Sequence, residues 1–247
     1  MFQNPFLVRL LGEEINGQKE LFIYFACMCL CFLVSYLLGS INSGIIVSRF
    51  FYGDDVRNHG SGNAGLTNIY RTYGKRAAAL TLVGDMIKVF ISLLFCAFFF
   101  GFLYKSGLSY QPICYLSAFF CEIGHIKPIF HKFKGGKGVL CSAAAILLLA
   151  PFVFLVLLLV FVSLVSMTKY ISVGSIAIAF FLPFTIRANM SILGATDPMI
   201  TGFCAIIGLT VIICHRSNIK RLQNGTESKF YFNQKNKPTN DKLNENN

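Results

Sequence analysis

Residues 139–166, VLCSAAAILLLAPFVFLVLLLVFVSLVS, contain no charged side chain and a single proline, Pro151. At 1.5 Å per residue the run reaches about 42 Å, too long for one ordinary membrane crossing and too short for two, and the proline interrupts it. The flanking charge chooses between the two. Segments 53–76 and 125–138 are basic, and the tail from His215 onward carries seven Lys or Arg. Cytoplasmic loops gather such residues, so all three belong on the inner side. A single crossing by 139–166 would leave the tail outside. The run therefore reads as a short helical hairpin bent at Pro151, returning to the cytoplasmic side at Thr168–Ser175.

Working outward, further apolar runs predict spans at about Leu21–Val47, Ala77–Leu103, Pro112–Gly124, Val173–Ile186 and Met199–Cys214, the last two joined by an outer turn at Arg187–Pro198. The fold class is all-α: a polytopic membrane helix bundle of about seven spans, hairpin included, with the N-terminus outside and the C-terminus inside. Asp85 and Lys88 interrupt the second span three residues apart, on one helical face, where each partly neutralises the other. Residues 1–20 read as an amphipathic or loose leader. The first apolar run is too long for a cleavable signal core. Residues 1–230 form one integral-membrane domain, and 231–247, rich in Asn, Lys, Thr and Glu, read as a disordered cytoplasmic tail.

Composition supports this. The 247 residues are 55% hydrophobic and only 13% charged, too apolar for a soluble domain. The net charge of +11 lies in the gaps between apolar runs rather than along one soluble face, which fits an acidic lipid surface and not nucleic acid. Nine cysteines fall mostly inside the apolar runs and read as small buried hydrophobes.

Four segments then share the inner face: 53–74, 125–138, 168–175 and 215–227. They supply cations (Arg57, Lys134, Lys137, Lys169, with His125, His215 and Arg216) and neutral hydrogen-bonding groups (Ser61, Asn63, Thr67, Ser172, Ser175, Asn218). Glycines in the first two segments let backbone N–H groups crowd around an oxyanion. Such a set at a membrane face suits a substrate with one or two phosphates and a lipid tail. Gly135–Gly138 lacks the spacing of a Walker A motif, so a nucleotide is not indicated. A carrier for a phosphorylated metabolite would place polar groups at mid-membrane within symmetric repeats, and no repeat is seen. A phosphatidyl-transferase of the CDP-alcohol type would need clustered aspartates for metal, and the chain has only Asp54, Asp55, Asp85, Asp197 and Asp241.

Three motifs carry a resemblance. Gly39-Ser40-Ile41-Asn42-Ser43-Gly44 is followed by Gly53–Gly74; Gly124–Val139 includes His125, Pro128, Phe130 and Phe133-Lys134-Gly135-Gly136-Lys137-Gly138; and His215-Arg216 leads to Asn218-Ile219, Arg221-Leu222 and Gly225-Thr226-Glu227. In this order the chain resembles the PlsY family, integral-membrane acyl-phosphate:glycerol-3-phosphate acyltransferases of bacteria. It departs from the family pattern at Asn42 (usually proline), Leu66 (usually alanine) and Val89 (usually glycine), which bears on helix starts and packing rather than on the polar set.

The resemblance implies transfer of a fatty acyl group from acyl-phosphate to the 1-hydroxyl of glycerol 3-phosphate, at the cytoplasmic face of a bacterial plasma membrane, with no metal and no cofactor. No histidine has an Asp five positions on, the arrangement with which acyl-CoA enzymes deprotonate glycerol phosphate; the absence favours the acyl-phosphate donor. Carried onto this chain, the catalytic set is Ser172, His215, Asn218 and Lys134. Substrate binding falls to Ser40, Arg57, Ser61, Gly62, Asn63, Thr67, Asn68, His125, Gly135, Gly136 and Lys137. Within these, Arg57, Lys134 and Lys137 would hold phosphate, and the backbone N–H groups of Gly135, Gly136 and the Gly60–Gly65 run would complete its cradle.

Overall fold

The computed structural model describes residues 17–100 and 111–231, and these are helical throughout their apolar runs. Residues 1–16 of the leader read at 1–20, the end of the second span at 101–103 and the tail from 232 lie outside the described residues, while 17–20 are already the first turn of a helix. Among the described residues nine α-helices follow in order: α1 Gly17–Ser40, α2 Ser43–Tyr52, α3 Leu66–Phe98, α4 Gln111–Ile126, α5 Val139–Leu149, α6 Pro151–Thr168, α7 Ile171–Ile192, α8 Pro198–Cys214 and α9 Arg216–Gln223. By length and apolar character five stretches suffice to cross a membrane, and α8 with α9, bent by 53°, make a sixth. The remaining short apolar helix is α5, the first arm of the predicted hairpin.

That hairpin is present. Ala150, with φ −148° and ψ 72°, breaks the helix, and Pro151 starts the second arm where its missing N–H costs nothing. Lys137, just before α5, donates to Asn218 Oδ1, while the carbonyl of Lys169, just after α6, accepts from the N–H of Phe230 at 2.7 Å. Both ends of the 139–168 excursion are thus tied to one segment, 218–230, so the chain has gone out and come back.

Two boundaries differ from the sequence reading. The first apolar run is two helices, because Asn42 turns the chain and caps α2, its Oδ1 accepting from the Ile45 N–H at 3.1 Å. The usual proline would start the helix through its fixed φ; asparagine starts it by capping. The second span begins at Leu66 rather than Ala77, so part of the polar 53–74 segment is its first turns, offset from the rest at Gly74, where φ is +83°.

The helices meet through small residues and buried polar bridges, as membrane bundles require. A Cβ on Gly39 or Gly124 would run into the partner backbone of α4 or α1, and Phe32 stacks on Phe120 at 4.7 Å. Gly208 of α8 lies against the Ala179 carbonyl of α7, an acceptor that Pro183, lacking an N–H, leaves without its helical partner. Lys88 pairs with Asp85 at 2.8 Å and donates to the carbonyls of Gly39 and Ile41, each 3.1 Å away, and to His125 Nδ1 at 2.9 Å. One buried ammonium thereby satisfies the broken end of α1 and ties it to α3 and α4. The Asp85–Lys88 pair thus joins three helices beside a cavity that Asp85 also lines.

Candidate active site

The polar segments fold on themselves before they face a ligand. Asn68, buried on α3, is the hub of the first: its Nδ2 donates to the carbonyls of Val56 (3.1 Å), His59 (2.9 Å) and Asn63 (2.9 Å), and its Oδ1 accepts from the Ser61 N–H (3.2 Å). Gly60, at φ +56°, lies where a Cβ would strike that amide oxygen. Arg57 is equally committed. Its guanidinium forks onto Asp55 at 2.9 and 2.7 Å and donates to the carbonyls of His131 (2.9 Å) and Lys134 (3.0 Å), clamping the first segment to the second. Arg57 holds the Asp55 carboxyl well below the usual carboxylate range.

Beside these loops opens a cavity of about 910 Å³. Its polar end is lined by Ser61, Asn63, Thr67 and Asn68, with Arg71 one turn further along α3, and by His125, Lys137, Ser172, Ser175, His215, Asn218, Arg221 and Glu227. Leu66 and Thr67 open α3 with no side-chain cap, so the positive end of that helix faces the same space. Across the mouth runs a linked row. Lys137 donates to Asn218 Oδ1, Asn218 Nδ2 donates to Glu227 Oε1 at 2.6 Å, and Arg221 Nε donates to Glu227 Oε2 at 2.7 Å. Arg71 reaches the neighbouring Ser228 carbonyl at 3.1 Å. Burial pushes the Glu227 carboxyl up, but the hydrogen bonds from Asn218 and Arg221 and the nearby Ser172 hydroxyl outweigh it, leaving the group ionised below its ordinary range. Burial, with the charge of Arg221, brings Lys137 down to about 8.

Two groups are held ready rather than engaged. Ser172 Oγ is buried without a well-formed hydrogen bond. His215 Nδ1 lies 2.8 Å from the Val211 carbonyl. A carbonyl only accepts, so Nδ1 carries the proton and Nε2 is the free acceptor.

Of the sequence-predicted residues, the structure brings Ser61, Asn63, Thr67, Asn68, His125, Lys137, Ser172, His215 and Asn218 to one cavity. It keeps Ser40, Arg57, Gly62, Lys134, Gly135 and Gly136 off its lining. The N–H groups of Gly135 and Gly136 are taken by the carbonyls of Ile126 (3.2 Å) and His125 (3.0 Å), so they do not cradle an anion. A Cβ on Gly136 would enter the His125 imidazole, which explains glycine there as a matter of close packing. Lys134 turns its side chain outward, and its carbonyl accepts from Arg57. Ser40 Oγ donates to the Tyr36 carbonyl (2.8 Å) and accepts from the Ile129 N–H (3.4 Å), joining α1 to the second loop. Arg71, Arg221 and Glu227 were missing from the predicted set. A lone acid ending a motif otherwise full of cations was the available signal for Glu227. Among the described residues no group of three or more His, Cys, Asp or Glu side chains is disposed to hold a metal ion.

Below its polar end the cavity is aliphatic, walled by α5, α6, α7 and α8 with side chains such as Ile146, Phe154, Leu157, Phe161, Leu182 and Ile207. Fold and cavity together define a membrane-embedded site for an amphiphile with an anionic head. Comparison with known proteins agrees. A family model described as glycerol-3-phosphate acyltransferase matches residues 29–225. Glycerol-3-phosphate acyltransferase 2 of Bacillus cereus (strain ZK / E33L) is 38% identical over 208 residues, covering 84% of this chain and 98% of that protein. The glycerol-3-phosphate acyltransferase of Trichlorobacter lovleyi is 42% identical over 197 residues, 79% and 94% of the two chains. The crystal structure of PlsY (YgiH), an integral membrane glycerol 3-phosphate acyltransferase, in its glycerol 3-phosphate form superposes with a TM-score of 0.70 at 30% identity, covering 83% of this chain and 96% of that one. Its lysophosphatidic acid form gives 0.68 at 28% identity. The chain belongs to the glycerol-3-phosphate acyltransferase family, as its three motifs imply.

Proposed function

We propose that the protein transfers a fatty acyl group from acyl-phosphate to the 1-hydroxyl of glycerol 3-phosphate, giving lysophosphatidic acid and inorganic phosphate, at the cytoplasmic leaflet of a bacterial membrane. The observation that carries this is the row Lys137–Asn218–Glu227–Arg221 at the polar end of a cavity whose other end is aliphatic. Both reactants carry phosphate, and one carries a chain that only the aliphatic end accommodates. The glycerol 3-phosphate and lysophosphatidic acid forms of PlsY support the acceptor and the product. The basic inner loops support the cytoplasmic face.

In this reading Lys137, Arg221 and Arg71 hold phosphate, with Asn218 passing between Lys137 and the anion that replaces Glu227. Ser61, Asn63 and Thr67 orient glycerol phosphate at the start of α3. Ser172 and His215 flank the reacting carbonyl, His215 Nε2 accepting from the glycerol hydroxyl. The hydroxyl oxygen adds to the acyl carbon, the carbon–oxygen bond to phosphate breaks, and the hydroxyl proton ends on the released phosphate. Cations already in place neutralise charge as it gathers on the leaving oxygens. Arg57, Asn68, His125, Lys134, Gly135, Gly136 and Ser40 hold the loops that carry this set. Purified protein given acyl-phosphate and glycerol 3-phosphate is expected to form lysophosphatidic acid without added metal or nucleotide. Product formed only from acyl-CoA would refute the donor.

A further inference from the structure

The aliphatic chamber has a floor. Its lining ends at Phe154 on α6, Leu182 on α7 and Ile207 on α8, and the next turns outward are filled by Val153, Ile186 and Cys204, none more than 1% exposed. From Ser172 to Leu182 α7 advances about 15 Å, and from His215 to Ile207 α8 advances about 12 Å. An extended chain advances ~1.3 Å per carbon along its zigzag of ~1.5 Å bonds. The straight path therefore holds roughly ten carbons beyond the carbonyl. Common membrane acyl chains are longer.

The side of the chamber differs from its floor. Successive residues on α6 are about 100° apart. Going round it, the lining residues Phe154, Phe161 and Val165 are followed by Leu158, also a lining residue, and then directly by Val162, Leu155 and Leu159, which are 51%, 55% and 69% exposed. No buried side chain intervenes on that flank, whereas Leu157 and Val153 are buried on the other. Helices α3 and α6 both line the cavity, through Leu82 and Met86 and through Leu158 and Phe161, yet share no extensive interface among the described residues.

From this geometry we infer that the enzyme grips only about the first ten carbons of its fatty chain and lets the rest leave sideways between α3 and α6, past Leu158, into the bilayer. The inference rests on the acyl-transfer reading above. Leu158 is thus a specificity-determining residue that removes any upper limit on chain length.

The test measures kcat/KM for acyl-phosphates of 8 to 18 carbons in a fixed bilayer. With substrate expressed as its mole fraction in the membrane, added methylenes leave lipid rather than water and bring no transfer gain, so kcat/KM is expected to stay level from about ten to eighteen carbons. Leu158→Trp narrows the gap and is expected to lower the ratio of sixteen-carbon to ten-carbon rates at least tenfold. Leu159→Trp, one residue on and facing lipid, leaves that ratio unchanged. A ratio unmoved by Leu158→Trp, or a wild-type profile that drops sharply past twelve carbons, overturns the exit. No transfer from any acyl-phosphate overturns the reaction and the exit together, whereas transfer with an unmoved ratio overturns the exit alone.

Discussion

Lys137 gives the sharpest test of the site, because burial and the Arg221 charge bring its ammonium down to about 8. The charged form is the one that binds phosphate, so activity is lost as pH rises through that value. The charged fraction falls from about nine-tenths at pH 7 to about one-tenth at pH 9, a roughly tenfold loss in kcat/KM, which reports the free enzyme. Phosphate esters lose their second proton at about pH 6, so the profile is a bell with its acid limb from substrate and its alkaline limb from Lys137. In the complex a dianion beside Lys137 holds the proton on, and the alkaline limb of kcat moves to higher pH. Lys137→Arg keeps its charge past pH 12. That variant is expected to be slower, since a planar fork does not reproduce the contact with Asn218, but to lose the alkaline limb. The assay is release of phosphate from acyl-phosphate in buffered proteoliposomes between pH 5.5 and 9.5. An alkaline limb that stays in place in Lys137→Arg would refute the role given to this ammonium.

The remaining expectations concern scaffold and topology. Asn68→Ala removes the hub of the first loop, an amide whose two N–H groups are shared among three carbonyls and whose oxygen takes one N–H, about three full hydrogen bonds, at 0.5–1.5 kcal/mol each a loss of about 1.5–4.5 kcal/mol; thermal unfolding in detergent checks it, and an unchanged midpoint would show that the loop is held by other contacts. A reporter fused after Ser166 is expected to read cytoplasmic, because the ends of the 139–168 hairpin meet at one segment; an external signal would break the hairpin.

Much of this was legible before folding. An uncharged run with a proline near its middle, between basic flanks, is enough to require a hairpin, and Ala150–Pro151 is where the helix breaks. Glycine spacing and one-sided charge likewise picked out the loops that meet. What the sequence does not encode locally is which way a side chain turns. Lys134 and Lys137 are three residues apart in one glycine-rich loop, and nothing in their neighbourhood says that one faces water while the other enters the cavity. The difference arises from contacts far along the chain, with Arg57 seizing the Lys134 carbonyl and Asn218 receiving the Lys137 ammonium. Arg57 is placed by contacts of the same kind: its nearest acid, Asp55, pairs with it two residues away, and its guanidinium donates to the carbonyls of His131 and Lys134, far along the chain.

Glu227 follows from the charge the site must carry when substrate is absent. Arg71, Lys137 and Arg221 share one partly desolvated mouth, where like charges disfavour one another more than they would in water. A carboxylate bonded to Asn218 and Arg221 relieves that repulsion, and its charge opposes the fall of the Lys137 pKa. A phosphate dianion offers the same cations more acceptors and more charge than a carboxylate. In the proposed reaction, substrate therefore binds by exchanging one anion for a stronger one. The net gain is smaller than a count of the cations suggests, and the same competition favours release of inorganic phosphate once the acyl group has gone.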